Sequence, residues 1–345
     1  MSLQTYFEKY HDAIKLNSST KAELKEKRDI LIGILRNSGK LPGFDEFSQG
    51  SYGMHLGNEP SEGREYDIDV GLRFNVNKGD YEPLDLKKTI CKILENHTEY
   101  GAKIRKPCVT VTYKKDGEKA YHVDLVTYVY KDKNDHNSQM YLARGTDSPN
   151  VTICWERADP VALLDYIRDY IGDADERDQF RRIVKYLKRW KNLRFNSSGH
   201  EEPASIGITL LALKGFSAHE KDDLTALIEV VDYIISKFDF VGIGKTGRLL
   251  YAIKCSMPEE LRFEPENNAF GKMSDVQMTD FKDKIEKLAA DLQEVQEEAD
   301  LVKQCEKLRK IFGDEFEVPE AKDVSKKQMN YIPRSTASGM KNVFE

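Results

Sequence analysis

Several features that would place a chain in a large class are scarce or missing here. The five cysteines, at 91, 108, 154, 255 and 305, contain no Cys-x-x-Cys pair, and the seven histidines add no ligand spacing to them. That excludes a structural zinc site or a disulfide framework as the organising device, and the thiols read as reduced. No apolar run approaches the ~20 residues a membrane helix needs. The amino terminus also lacks the apolar core of a signal peptide, so the expectation is a soluble, cytoplasmic chain with no membrane contact. An excess of basic charge is missing too. The formal net charge of −6 argues against general nucleic-acid binding, which calls for a basic face. What remains is 345 residues with 39% hydrophobic content, enough for two substructures around one cleft, and no internal repeat.

The informative region is the run from Tyr66 to Phe74. Tyr66, Ile68, Val70, Leu72 and Phe74 alternate with the other residues at period two, the signature of a half-buried strand. Asp67 and Asp69 therefore share its second face, about 7 Å apart at a rise of ~3.3 Å per residue. Two carboxylates so placed repel each other, which folding tolerates only where solvent, a basic partner or a divalent cation offsets the repulsion. Magnesium takes carboxylate oxygens together with substrate phosphates and waters, so such a pair can hold a metal that a triphosphate completes. The plain alternative is a polar strand face turned to water.

The flanking segments weigh on that choice. Phe44 to Tyr52 reads as a short strand running into a tight turn, with Gly50 allowing close backbone approach and Ser51 offering a hydroxyl and an amide to phosphate oxygens. Asp124 lies in a second apolar strand, Tyr121 to Tyr130, entered from Thr110 to Tyr113 through a turn containing Asp116-Gly117. A carboxylate in so apolar a strand is costly unless paired or metal-bound. Further on, Arg177 to Arg194 is a basic helix whose apolar side is Phe180, Ile183, Val184 and Leu187. A cation cluster facing the carboxylates would take the polyphosphate charge that metals leave over. Pro203 to Leu213 is apolar almost all round and reads as a buried helix behind the cleft.

Taken together, Gly50-Ser51, Asp67-x-Asp69 and Asp124 resemble the hG[GS]…Dh[DE]h…h[DE]h signature of the polymerase-beta-like nucleotidyltransferase superfamily, with a somewhat long stretch between Ser51 and Asp67. Gly-Ser-Tyr, the linker through Pro60 and Gly63, and Tyr-Asp-Ile-Asp look most like the bacterial cGAS/DncV-like nucleotidyltransferases, and Arg181 to Trp190 and Ala204-Ser205-Ile206 are similar to the segments that cover the donor nucleotide there. The resemblance implies an α+β fold, with a polymerase-beta-like core on a mixed sheet and a carboxyl-terminal helical lobe. It implies two Mg2+ ions, with Mn2+ as an alternative, on Asp67, Asp69 and Asp124, and nucleotide contacts from Gly50, Ser51, Lys185 and Ser205. Its substrates would be nucleoside triphosphates, its product a cyclic di- or trinucleotide made in anti-phage (CBASS) defence, and its partners defence-operon proteins and a downstream cyclic-nucleotide effector. The residues alone leave open a nucleotidyltransferase of another branch, acting on RNA ends, small molecules or proteins, and an inactive nucleotide-sensing scaffold.

The chain divides by this reading into a catalytic lobe with amino-terminal spine helices (residues 1–160), a helical lobe (161–324) and a loosely ordered tail (325–345). Leu3, Phe7, Tyr10 and Ile14 mark the first helix, and Thr20 with Glu23 a capping box for the second. Another helix is expected near Leu84 to Glu95. Two motifs mimic other functions. Gly242 to Gly247 invites a P-loop assignment, but Asp239 stands where that motif needs glycine, so an ordinary Gly-rich connection is expected. The stripe from Met278 to Val302 at three-four spacing could be a coiled-coil seam, and is read as a long helix on its own core that starts at Ser274 and Gln277.

Overall fold

The structure, a computed structural model, describes residues 2–61, 66–115, 118–196, 201–258, 261 and 268–320. The expected tail at 325–345, the Asp116-Gly117 turn and Gly63 lie outside the described residues. Seven strands form one mixed sheet: β1 (Phe44–Ser48), β2 (Tyr66–Asn77), β3 (Ala102–Ile104), β4 (Cys108–Lys115), β5 (Glu118–Tyr130), β6 (Met140–Arg144) and β7 (Cys154–Arg157). Their order is β1-β2-β5-β4-β3, with β6 joined to β5 and β7 to β6. Only β2 and β5 run parallel; β1, β3, β4, β6 and β7 all pair antiparallel.

The alternation along β2 now has a physical destination. Ile68, Val70, Leu72 and Phe74 bury themselves with Val109, Val111, Val123 and Leu125 against two helices, α2 (Ser18–Asn37) and α4 (Pro83–Leu94). Each such side chain contributes about 1.5–3 kcal/mol of burial. The period of two then forces Asp67, Asp69, His122 and Asp124 onto the opposite face. Helix α2 begins earlier than the sequence implied. Asn17 is its cap, accepting the Thr20 amide at 2.8 Å, and asparagine at that position outcompetes a Thr20 box three residues on.

The other side of the molecule is helical: α1 (Leu3–Ile14), α5 (Pro160–Asp169), α6 (Ala174–Arg194), α7 (Ser205–Gly215), α8 (Asp223–Ile235), α9 (Asp275–Glu297) and α10 (Leu301–Phe312). Helix α1 packs here rather than on the sheet. Its Phe7 and Tyr10 rings lie 5.1–5.5 Å from those of Tyr186, Phe312 and Phe316. The Met278 to Val302 stripe is two helices, not one. Met278, Phe281, Ile285, Leu288, Leu292 and Val295 of α9 are buried in the shared core, the chain turns after Glu297, and Asp300 caps α10 by accepting the Lys303 amide at 3.0 Å. Ser274 and Gln277 do form the capping box that starts α9. The glycine-rich Gly242 to Gly247 stretch belongs to a β-hairpin, β8 (Phe238–Ile243) and β9 (Leu249–Ile253), closed by the Gly244 amide on Arg248 O at 2.8 Å. No helix among the described residues is long and apolar enough to cross a membrane.

One buried carboxylate ties α1, α6 and α8 together. Asp223, fully buried, accepts two hydrogen bonds from the Arg182 guanidinium at 2.8 Å, one from Tyr186 at 3.0 Å and one from Gln179 at 3.1 Å, while its own amide donates to Gln4 at 2.9 Å. A charge held this way is stable only while every partner remains. Asp223→Ala leaves the Arg182 guanidinium without its carboxylate and is expected to cost about 3–5 kcal/mol in chemical denaturation. A loss below ~1 kcal/mol would show that the network is not what holds these helices.

Candidate active site

The parallel pairing of β2 with β5 sets Asp69 opposite Asp124 and Asp67 opposite His122. Ligand atoms of Asp67, His122 and Asp124 lie within 4.8 Å of one another. The imidazole Nδ1 of His122 stands 3.5 Å from Asp67 Oδ1 and 3.4 Å from Asp124 Oδ1. Thr110, opposite Asp124 on β4, donates its hydroxyl to Asp124 Oδ1 at 2.6 Å. Asp69 occupies a niche made by a missing side chain. A Cβ built on Gly50 would stand 2.0 Å from Asp69 Oδ2, and Gly50 has φ +60°, a conformation glycine adopts freely. The turn is locked against the strand by Gln49, whose amide donates to Asp69 O at 3.2 Å and whose side chain accepts the Tyr128 hydroxyl at 3.0 Å. Gly50 and Ser51 thus open a one-turn helix, α3 (Gly50–Gly53 in chain order), beside the carboxylates.

The carboxylates do not share one electrostatic state. Withdrawal from water, and then the Asp124 charge, pushes Asp67 up to about 6, even though 53% of its side chain is exposed at the mouth of the cleft. Withdrawal from water, with Asp67 and Asp124 behind it, pushes Asp69 up to about 7. Burial works the same way on Asp124, but the His122 imidazole and Thr110 hydroxyl outweigh it and hold that carboxyl below its ordinary value. Among the described residues, His122 and Lys188 offset the Asp67 and Asp69 charges only in part. A divalent cation would offset the rest, and three carboxylates with one adjacent imidazole suit a hard or borderline divalent ion.

Across the cleft, α6 presents lysines 185, 188 and 191, each about 4.5 Å further along the axis. The middle one faces the acids. Lys188 donates to Leu56 O at 2.7 Å; desolvation and the charges of Lys191 and Lys185 push it down to about 7, against the pull of Asp67 and Asp69. Lys191 donates to Ser205 Oγ at 2.8 Å and pairs with Glu202. Lys185, named with Ser205 from the sequence, is not beside it. A six-residue separation on a helix turns Lys185 away from Lys191 by roughly 120°, and its amine contacts His11 Nε2 at 3.3 Å instead. Of the residues chosen from sequence, the structure brings Asp67, Asp69, Asp124 and Gly50 together, starts α3 with Ser51 beside them, places Ser205 against Lys191, and leaves Lys185 in a separate cavity. An apolar hollow of about 290 Å³, walled by Tyr128, Pro160, Leu163, Ile206, Met257 and Leu261, lies between the sheet and α7.

His122, Thr110 and Gln49 were not singled out from the sequence, and Lys188 and Lys191 were read only as members of the α6 cation cluster. His122 was findable, being two residues before Asp124 and hence on its face. The lysines follow from i, i+3, i+6 spacing once one of them is oriented.

Comparison with known proteins gives this geometry a family. The model for the nucleotidyltransferase domain of proteins like the cyclic GMP-AMP synthase DncV matches residues 45–128, the stretch that contains Gly50, Ser51 and all three aspartates. The chain carries a DncV-like nucleotidyltransferase domain. A curated cyclic GMP-AMP synthase of Escherichia albertii is 25% identical over 183 residues, a match spanning 51% of this chain and 38% of that protein. The Vibrio cholerae DncV cyclic AMP-GMP synthase has the same fold at 16% identity, with a TM-score of 0.65 over 92% of this chain and 98% of that one. So does the Bradyrhizobium diazoefficiens CD-NTase CdnG, solved with GTP, at 17% identity and TM-score 0.69 over 96% and 99%. The DncV-like domain and the helical side thus share one architecture with these proteins across almost their whole length.

The raised carboxyls make a prediction for the metal-free protein. Asp67 and Asp69 keep their protons to about 6 and 7 in the fold but only to the ordinary 3.8 when unfolded. The stability they contribute is therefore full below the unfolded value and is lost as pH rises through the folded ones. In EDTA, Asp69→Asn should show a smaller fall in melting temperature from pH 5 to pH 8 than the unaltered chain, and Mg2+ should raise the melting temperature of the unaltered chain at pH 8. An equal fall in both proteins would refute carboxylate crowding at this site.

Proposed function

We propose that this chain joins nucleoside triphosphates into a cyclic di- or trinucleotide by nucleotidyl transfer, releasing pyrophosphate, as part of anti-phage (CBASS) signalling. The observation that carries the reading is the register that sets Asp69 against Asp124 beside the Gly50 turn, inside a domain of the DncV-like family. Similarity to proteins solved with GTP, and with the linear intermediate pppA(3′,5′)pG, supports triphosphate substrates and a two-stage reaction.

In this reading Asp67, Asp69 and Asp124 hold two Mg2+ ions, which would polarise the α-phosphate and lower the pKa of the attacking ribose hydroxyl. The remaining work belongs to the chain. Gly50 and Ser51 present backbone amides, and Ser51 a hydroxyl, to the β- and γ-phosphates at the start of α3. Lys188 neutralises the pyrophosphate as it leaves, and Lys191 holds the Ser205 hydroxyl toward the same group. The apolar hollow behind Tyr128 and Ile206 excludes water and receives a base. Thr110 and His122 fix the Asp124 carboxylate in its ionised form. The hydroxyl gives up its proton to the ionised Asp124 carboxylate as its oxygen attacks the α-phosphorus, the bond to the bridging oxygen breaks, and pyrophosphate departs. A linear product then turns over in the cleft so that its second end reacts.

Purified protein given mixed radiolabelled ATP, GTP, CTP and UTP with Mg2+ should yield phosphatase-resistant products whose masses are cyclic. Asp67→Asn/Asp69→Asn should abolish them. Labelling that appears only with added RNA would move the chain to another branch, and no turnover with Mg2+ or Mn2+ would favour a nucleotide-sensing scaffold. Lys188→Ala should raise the nucleotide KM roughly 10- to 100-fold, matching loss of a charge-assisted bond of about 1.5–3 kcal/mol.

Gly50→Ala separates geometry from charge. Its new methyl collides with Asp69 and meets a positive φ, so product formation should fall at least roughly tenfold while all three carboxylates remain. Full activity in that variant would show that Asp69 needs no niche.

A further inference from the structure

A cluster of cations with few acids among them lies outside the catalytic cleft. A cavity of about 510 Å³ opens between the end of α1, the start of α2, the segment after α3 and the first half of α6. Lys15, Lys21, Arg181, Arg182 and Lys185 line it, against one acid, Asp178. Three of the cations are matched: Lys15 by Asp12, Arg181 by Asp178 at 2.9 Å, and Arg182 by Asp223. Lys21 and Lys185 have no carboxylate partner among the described residues. Lys185 is 92% buried, its amine contacting only a neutral acceptor, His11 Nε2, and the Lys185 backbone carbonyl takes the Asn58 side-chain amide at 2.9 Å. Burial, with Lys21 and Lys15, pushes Lys185 down to about 8, and burial with Lys185 and Lys15 pushes His11 down to about 4. A cavity that depresses its own lysine and histidine is short of negative charge.

Its walls contain none of Gly50, Ser51, Asp67, Asp69, Asp124 or Ser205, so it is not the cleft described above. We propose that this cavity is a second anion site, which takes a compact polyphosphate, free or as part of a nucleotide, and holds it on Lys21, Arg181 and Lys185. The concavity favours a small ligand over a nucleic-acid backbone, since ~510 Å³ lies in the range of small-molecule sites, and the net charge of −6 offers no broad basic face around it. Tyr52 and His55 line the same space and offer flat rings to a base. The site adjoins the machinery of the cleft: Tyr52 follows Ser51, Gly57 follows the Leu56 carbonyl that holds Lys188, and Lys185 stands one turn from Lys188. A ligand here would therefore bias the position of Lys188, which gives the site a regulatory reach.

Direct binding tests this without relying on catalysis, so its failure is distinct from failure of the proposed reaction. The full chain in EDTA is titrated calorimetrically with sodium tripolyphosphate and, separately, with ATP. Lys21 is solvent-exposed, so Lys21→Glu is a substitution the fold should carry; it is expected to weaken tripolyphosphate at least tenfold, as is Lys185→Gln. Asp67→Asn/Asp69→Asn and Ser205→Ala should leave that affinity within about twofold. Binding of ATP no tighter than tripolyphosphate would identify free polyphosphate as the ligand, whereas tighter ATP that Lys21→Glu weakens and Ser205→Ala does not would identify a nucleotide read by Tyr52 and His55. The proposal is overturned if neither ligand binds, if Ser205→Ala rather than Lys21→Glu removes binding, or if a DNA or RNA duplex binds through Lys21 while neither small anion does.

Discussion

The parallel register of β2 and β5 is the constraint on which the rest of the molecule depends. A single-residue slip would carry Ile68, Val70 and Leu72 to the solvent side and bury the aspartates against α2 and α4. Because the back face of these two strands is apolar but for the buried Thr127, the register is fixed by burial, and the acids are thereby concentrated on the front. Repulsion among Asp67, Asp69 and Asp124 is thus a by-product of the core. The fold offsets part of it locally, through His122 and Thr110 on Asp124, and leaves the rest on Asp67 and Asp69, where a cation and a triphosphate can be drawn in.

The helical side answers that charge with a rigid cation carrier. Helix α6 is clamped at its amino-terminal half by Asp223 through Arg182 and Tyr186, and further along by Arg189, whose guanidinium meets Glu315 at 2.8 Å. Clamping matters because electrostatic stabilisation depends on donors fixed before charge develops. Packing α1 against α6 is part of the same clamp: the Tyr186 hydroxyl that binds Asp223 also donates to Phe7 O at 3.0 Å. The amino terminus therefore supports the site from behind, although it lies far from the carboxylates in sequence.

How much of this was legible beforehand depended on whether a residue's role was set by local periodicity or by tertiary contact. Asp67, Asp69 and Asp124 were readable because period-two alternation fixes the face of a strand, and Gly50 because a tight turn beside a strand needs a residue without Cβ. The helical carboxyl side followed from the same kind of pattern, whereas the mixed sheet was implied by the family resemblance alone. The resemblance names Lys185 and Ser205 together as nucleotide contacts, but helical sequence gives the angular order of side chains and not their origin. Only packing against α1 and α7 shows that Lys185 turns to His11 and Lys191 to Ser205. Buried Lys87 was equally hidden. Its amine donates to the carbonyls of Arg105, Lys106 and Gly145 at 2.6–3.0 Å, holding the turn before β4 in place, and no spacing rule anticipates three carbonyls converging from two loops.

The lysine stripe of α6 also bears on how an acidic chain could hold the polyanionic ligands proposed for it. At a net charge of −6 the long-range field does not favour phosphates, and beyond a Debye length of ~8 Å it is screened in any case. Attraction must then be local, arising where water is excluded and the effective dielectric is low. Lys185, Lys188 and Lys191 meet that requirement in three different surroundings: a cavity short of anions, a cleft with acids opposite, and a hydroxyl at the start of α7. All three stand on one clamped helix, with Lys185 one turn from Lys188. The charge deficit of the outer cavity and the grip on the cleft are thus two ends of a single rigid element, and selection on either end acts on both.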